Sequence, residues 1–119
     1  MWEVELYVKP NGHCPAQELL DGLSKRDELP FVDRKIRLLA ELGYRLKRPH
    51  AAFLRDDIWE LRVETHHGQL RLLYFYFESS VIVVTHGFRK KTAKVPEAEI
   101  EQAIGFREEY LNRYKGKRK

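Results

Sequence analysis

DIWELRVETHHGQLRLLYFYFESSVIVVTHGFRKKTAKVP, residues 57–96, decides the fold. Read by alternation, Trp59, Leu61 and Val63 fall on one side of an extended chain, and Glu60, Arg62 and Glu64 on the other. His67-Gly68 reads as a turn. A two-residue loop there sets Glu64 opposite Arg71 and Arg62 opposite Leu73, making Arg62 and Arg71 diagonal neighbours on one face. The aromatic run from Gln69 to Phe77 forms the second strand, and Glu78-Ser79-Ser80 turns it into Val81 to Thr85. An even-length loop at that turn brings His86 onto the face of Arg62 and Arg71, whereas a one-residue slip moves it away. The stretch therefore predicts three consecutive antiparallel strands, charged on one side, running into a basic loop.

Outward from it, Trp2 to Lys9 alternates apolar Trp2, Val4, Leu6 and Val8 with Glu3, Glu5, Tyr7 and Lys9, and predicts a strand with one buried face. Pro10, Asn11 and Gly12 break it. Pro15 opens a helix carrying Leu19, Leu20 and Leu23, expected to end around 25–27. Pro30 starts a second, with Val32, Ile36, Leu39 and Ala40 as its apolar stripe and Gly43 as its stop. Residues 44–56 read as a connection of low regularity. From Val95-Pro96 a last helix runs with Ile100, Ala103, Ile104, Tyr110, Leu111 and Tyr114 on one stripe and Glu97 and Glu99 in its first turn. Arg107 falls within that stripe, so it needs an acidic partner such as Glu60 or Glu64, or must snorkel out. The basic tail, 115–119, is expected to be frayed.

The 119 residues suit a single domain, 1–119, with one core. Hydrophobic residues at 43% and charged residues at 34% exclude a disordered chain. No apolar run approaches a membrane span, and Met1 leads directly into strand-like sequence, so neither a membrane location nor export is expected. The single cysteine, Cys14, excludes an internal disulfide framework and Cys-based zinc clusters, which points to the cytoplasm. A net charge of +4 suits a polyanionic partner.

Chemistry concentrates at the open end of the charged face. Arg62, Arg71, Arg89, Lys90, Lys91 and Lys94 are suited to holding phosphates, and Tyr74, Tyr76 and Phe88 to stacking on bases. The bland alternative is that Arg62 pairs with a neighbour across the strands and the lysines merely solvate a loop. His86, titrating near neutrality beside cations, is the candidate proton shuttle. His66 and His67 occupy a turn and point apart, so a shared metal ion is not expected, and no other metal-ligand spacing appears. Glycine-rich phosphate loops, nucleophile elbows and Cys/His catalytic arrangements are absent from the sequence.

A set of short matches now acquires meaning: Asp57-Ile58-Trp59-Glu60-Leu61-Arg62, Arg71-Leu72-Leu73-Tyr74, His86-Gly87-Phe88-Arg89-Lys90-Lys91-Thr92-Ala93-Lys94-Val95-Pro96, and Glu99-Ile100 with Ala103, Arg107, Glu109 and Tyr110. Together with Asn11-Gly12, Pro15 and the helical pair, they resemble the phage-derived Gp49-like, HigB-type branch of the RelE/ParE toxin superfamily over nearly the whole chain. The resemblance implies an α+β, RelE-like β-α-α-β-β-β-α fold: a central antiparallel sheet with two N-terminal helices and a C-terminal helix. It also implies the toxin of a type II toxin–antitoxin pair that cleaves mRNA without a metal or other cofactor, commonly in the ribosomal A site. The reaction it implies is attack by a ribose 2′-OH on the adjacent phosphate, releasing a 5′-hydroxyl and leaving a cyclic phosphate.

By the same resemblance, Arg71 matches the arginine that contacts the reacting phosphate, and Arg89 or Lys90 the basic position after the last strand. Glu60 departs from the pattern, standing where the best-studied members carry a lysine implicated in proton transfer; the alternatives are that His86 or Glu60 replaces it, that the ribosome supplies the positioning instead, or that RNA is not cleaved. The expected catalytic set is Arg62, Arg71, His86, Lys90 and Glu60, with Arg89, Lys91, Lys94, Tyr74 and Phe88 on the RNA. The expected partners are a helix-turn-helix antitoxin covering the charged face or displacing the last helix, mRNA with the ribosome, and operator DNA only through the antitoxin complex. The alternatives are a non-catalytic ParE-like inhibitor of a protein target such as DNA gyrase, and an inactive phage-encoded RNA-binding module.

Overall fold

The computed structural model describes residues 1–117, with side chains through Tyr114. The elements are β1 (Glu3–Leu6), α1 (Pro15–Asp21), α2 (Leu29–Leu42) with a 3-10 turn at Gly43–Arg45, β2 (Ala51–Arg55), β3 (Ile58–Thr65), β4 (Gly68–Phe77), β5 (Val81–Arg89) and α3 (Glu97–Lys117). The five strands form an open sheet in the order β1-β5-β4-β3-β2. This is the expected α+β architecture with two differences. The sheet is mixed, because β1 joins β5 in parallel, Glu3 beside Val81 through Leu6 beside Val84. A fifth strand, β2, also emerges from the segment expected to be irregular. It is tied to β3 by a hairpin whose turn residues, Asp56 and Asp57, both adopt positive φ (50° and 65°), which the right-handed twist of the strands favours.

Alternation in β3 sorts the two faces as expected. Leu61 and Val63 join Leu70, Leu72, Tyr74, Ile82 and Val84 in one apolar cluster that Ala16, Leu23, Val32 and Leu39 of the N-terminal helical region cover. The opposite face is not left open. Ile58, Leu73, Phe75 and Val83 pack there under Ala103, Ile104, Phe106 and Tyr110 of α3. β1 is accordingly covered on both sides. Tyr7, expected on the solvent side, is 2% exposed, and its hydroxyl donates to Glu109 at 2.6 Å. Burial and that carboxylate push the Tyr7 phenol up to about 12.

Two glycines make these approaches possible. At Gly43, which ends α2 with φ of 50°, a Cβ would fall 2.0 Å from the Trp2 indole nitrogen. At Gly87 in β5, a Cβ would lie 2.4 Å from Leu72 and 2.5 Å from Leu19, so the bare backbone lets α1 seat on the sheet. α1 ends at Asp21, with Gly22 at its C-cap, shorter than its apolar spacing predicts. The tail expected to fray, 115–119, lies outside the described side chains.

Candidate functional site

The loop between β3 and β4 is His66-His67, one residue earlier than expected, since Thr65 faces Gly68. Every pairing shifts with it: Arg62 lies directly opposite Arg71 rather than Leu73, and Glu64 opposite Gln69 rather than Arg71. Two like charges set side by side need a counter-ion. Glu60, on the same face, supplies it. Its Oε1 lies 2.9 Å from Arg71 Nε and its Oε2 3.4 Å from Arg62 Nη2. Glu60 and Arg71 are each only 4% exposed. Arg71 is further fixed by donating Nη1 to the Leu70 carbonyl and Nη2 to Gln69 Oε1, both at 3.0 Å. Burial pushes its guanidinium below the ordinary value, with Glu60 partly offsetting that. Arg62 is the more accessible of the two arginines.

Glu60 and Arg62 border a concavity of about 310 Å³ closed by Lys90 and Lys94 of the β5–α3 loop and by Leu54, Arg55 and Glu97. Here a carboxylate with free lone pairs, a guanidinium and two ammonium groups meet. Lys90 is positioned by its own amide, which donates to the Gln69 carbonyl at 2.8 Å. Lys91 is exposed on the same loop and borders neither this hollow nor the larger one beside it.

His86 reaches the charged face by two deviations that cancel. The β4–β5 loop holds three residues, since Phe77 faces Val81, and by itself this would turn His86 toward α1 and α2. A register shift after the Val84–Tyr74 pair leaves Thr85 as an extra residue and sets His86 opposite Leu73. The Thr85 hydroxyl donates to the Leu73 carbonyl at 3.1 Å and lies 3.2 Å from His86 Nδ1. His86 Nε2 meets Glu99 Oε1 of α3 at 3.0 Å. Burial pushes the imidazole below its ordinary 6.5, and Glu99 opposes that shift. His86 faces a separate hollow shared with Lys9, His13, Phe88 and Glu99, with Leu73 between it and the Glu60 pair.

Two expected RNA ligands lie on the other face. Tyr74 is fully buried in the cluster beneath the N-terminal helices and has no surface to offer a base. Its even position in β4, shared with Leu70 and Leu72, carries that information. Arg89 points toward the start of α2, where Nη1 and Nη2 donate to the two oxygens of Glu28 at 2.8 and 3.1 Å. Arg89 holds the Glu28 carboxyl below its ordinary value, outweighing the opposing effect of burial. Arg107 pairs with Asp57 at 3.2 Å, not with Glu60 or Glu64, and its guanidinium lies 5.8 Å from the Phe75 ring centre. Sequence reasoning missed Glu99 as the partner of His86. The signal available was its place in the first turn of α3, immediately after the basic loop.

Among the described residues, no group of three or more His, Cys, Asp or Glu side chains is arranged to hold a metal ion. No helix among the described residues is long and apolar enough to cross a membrane. The mixed sheet, with two helices on one face and one on the other, is compatible with the RelE-like class. Residues 18–106 match the family described as "Phage derived protein Gp49-like (DUF891)", and the chain belongs to that family, one of RelE/HigB-like toxins. No curated protein matches it.

Proposed function

We propose that the chain is the toxin of a type II toxin–antitoxin pair and cleaves mRNA at a phosphate seated over Glu60, between Arg62 and Lys90. The observation that supports this reading is the carboxylate of Glu60 at the base of a hollow whose rim carries Arg62, Lys90 and Lys94. In-line attack by a ribose 2′-OH needs a group to take its proton, cations to stabilise the phosphorane, and a proton for the departing 5′-oxygen. Glu60 takes the first role, Arg62 and Lys94 the second, and the Lys90 ammonium the third. Arg71 holds Glu60 in place. Glu99, at the start of α3, holds His86 in its own hollow across Leu73, so His86 carries no proton in this scheme. The family membership adds weight to the toxin reading, and the ribosome would supply the mRNA in a fixed conformation.

The test is to induce the wild type and an Arg62→Ala, Lys90→Ala variant and to map RNA 5′ ends. The variant should lose about a hundredfold or more of cleavage while remaining folded, since both side chains are partly solvated. A second reading, a ParE-like inhibitor of a protein target, is favoured by the burial of Arg71 and His86 and by their contacts with neighbouring groups. Growth arrest with intact mRNA and accumulating DNA breaks would select it.

A further inference from the structure

β2 covers only part of β3. Their pairing runs from Arg55 beside Ile58 to Ala51 beside Leu61, and the Arg62 amide donates to the His50 carbonyl at 2.8 Å. Beyond that point, Val63 to Thr65 pair with no strand on that side. A hollow of about 680 Å³, the larger of the two that touch Arg62, opens there between this stretch and α2. Its walls carry Arg34, Lys35, His50, Arg62 and Arg71, with Glu64 as the only acid.

Arg34 and Lys35 of α2 have no carboxylate partner among the described residues. Asp33, the nearest acid along the helix, pairs with Arg37 at 2.9 Å. Lys35 Nζ meets His50 Nδ1 at 2.9 Å, a contact in which the lysine donates and the imidazole accepts. Arg34 lies with its guanidinium 4.9 Å from the Phe31 ring centre, and Phe31 meets the His66 ring edge-on at 5.1 Å. Arg62 borders both this hollow and the one over Glu60. The cationic surface therefore runs from α2, over the unpaired side of β3, to the β5–α3 loop.

We infer that this α2 hollow is a second binding segment for single-stranded RNA, holding the nucleotides on one side of the phosphate over Glu60. Arg34 and Lys35 take backbone phosphates there, and a base lies against the Phe31 and His66 rings. Single-stranded RNA fits better than duplex, because the aromatic rings reward an unstacked base and the two hollows meet at an angle around one side chain. The inference rests on the reading above, since it extends the path of the same substrate.

The experiment measures binding of a labelled single-stranded RNA of about 12 nucleotides, over a range of salt, to three proteins. These are the wild type, Arg34→Ala with Lys35→Ala, and a charge-matched control, Lys25→Ala with Arg37→Ala, altered at exposed positions outside the hollow. Losing two phosphate contacts should weaken binding of the first variant about tenfold and flatten its log–log salt slope by about 1.4, leaving the control near wild type. If the two variants bind alike, the α2 segment is wrong while the site over Glu60 stands. If a duplex of the same sequence competes as well as the single strand, the ligand class is wrong. If the wild type binds none of these RNAs, the segment falls, while the cleavage reading stands or falls separately on the mapped 5′ ends.

Discussion

The two faces of the sheet differ in what they bury. Beneath the N-terminal helices, Leu61, Leu70, Leu72, Tyr74, Ile82 and Val84 are 0–1% exposed and form a continuous apolar cluster. Beneath and beside α3, an apolar patch around Leu73, Phe75 and Val83 gives way to Glu60, Arg71 and His86, all 5% exposed or less. Hydrophobic burial explains the first face apart from its margin at the start of α2, where Glu28, 3% exposed, pairs with Arg89. It does not explain the second, where taking ions out of water is a cost that a well-packed apolar row of equal volume would avoid. The contrast separates what makes this chain fold from what it is built to do.

The largest effect should come from the apolar face. Leu72→Ala removes a side chain 1% exposed that packs over Gly87, and should cost about 3–4 kcal/mol in a urea titration. Growth arrest should weaken through loss of folded protein. A cost under about 1 kcal/mol would mean that stability is not concentrated where the packing places it.

Next comes the Glu60–Arg71 pair. Glu60→Gln or Arg71→Met alone leaves a buried charge short of its partner and should cost about 3 kcal/mol. The double variant should recover most of that loss, because an uncharged pair needs no counter-ion. RNA cleavage should stay abolished in all three. Stability restored without activity is the signature of a row retained for function. Recovery of both would reassign the pair to structure and hand the base role elsewhere.

How much of this the sequence discloses depends on whether a feature is periodic. Alternation in residues 59–64 sorts the two faces of β3 because side chains in a strand repeat every two residues, whatever the turn. Pairing depends on the turn itself, and His66-His67 carries no glycine at its centre, so the Gly68 signal draws the register one residue away. β2 is hidden for a related reason. Asp56-Asp57 takes the positive φ usually assigned to glycine or asparagine, and Ala51-Ala52-Phe53-Leu54 lacks polar alternation. The bulge at Thr85 leaves no trace in composition, yet it decides where His86 points. In the candidate site, Glu60, Arg62 and Lys90 can be placed from strand parity and loop position. Tyr74 and Arg89 match the family pattern but lie on the opposite parity, and parity is what the backbone obeys.

The smallest and most discriminating effect concerns His86. Its pKa is pushed below the ordinary 6.5 of the unfolded chain, so the unfolded state takes up a proton more readily than the folded state. Stability should therefore be complete above pH 6.5 and fall as the pH drops from 6.5 toward the lower folded value. Thermal unfolding of the wild type and of His86→Gln, followed between about pH 5 and 7, should show this component in the wild type and lose it in the variant. The Glu99 carboxylate at 3.0 Å works in the opposite direction. Were it to dominate, the wild type would instead gain stability as the pH falls toward 6.5 from above and keep it below that. That inversion would make His86 a cation at the working pH and move a proton donor to within one strand of Glu60. The slope thus tests whether the polar row beneath α3 holds one site for proton transfer or two.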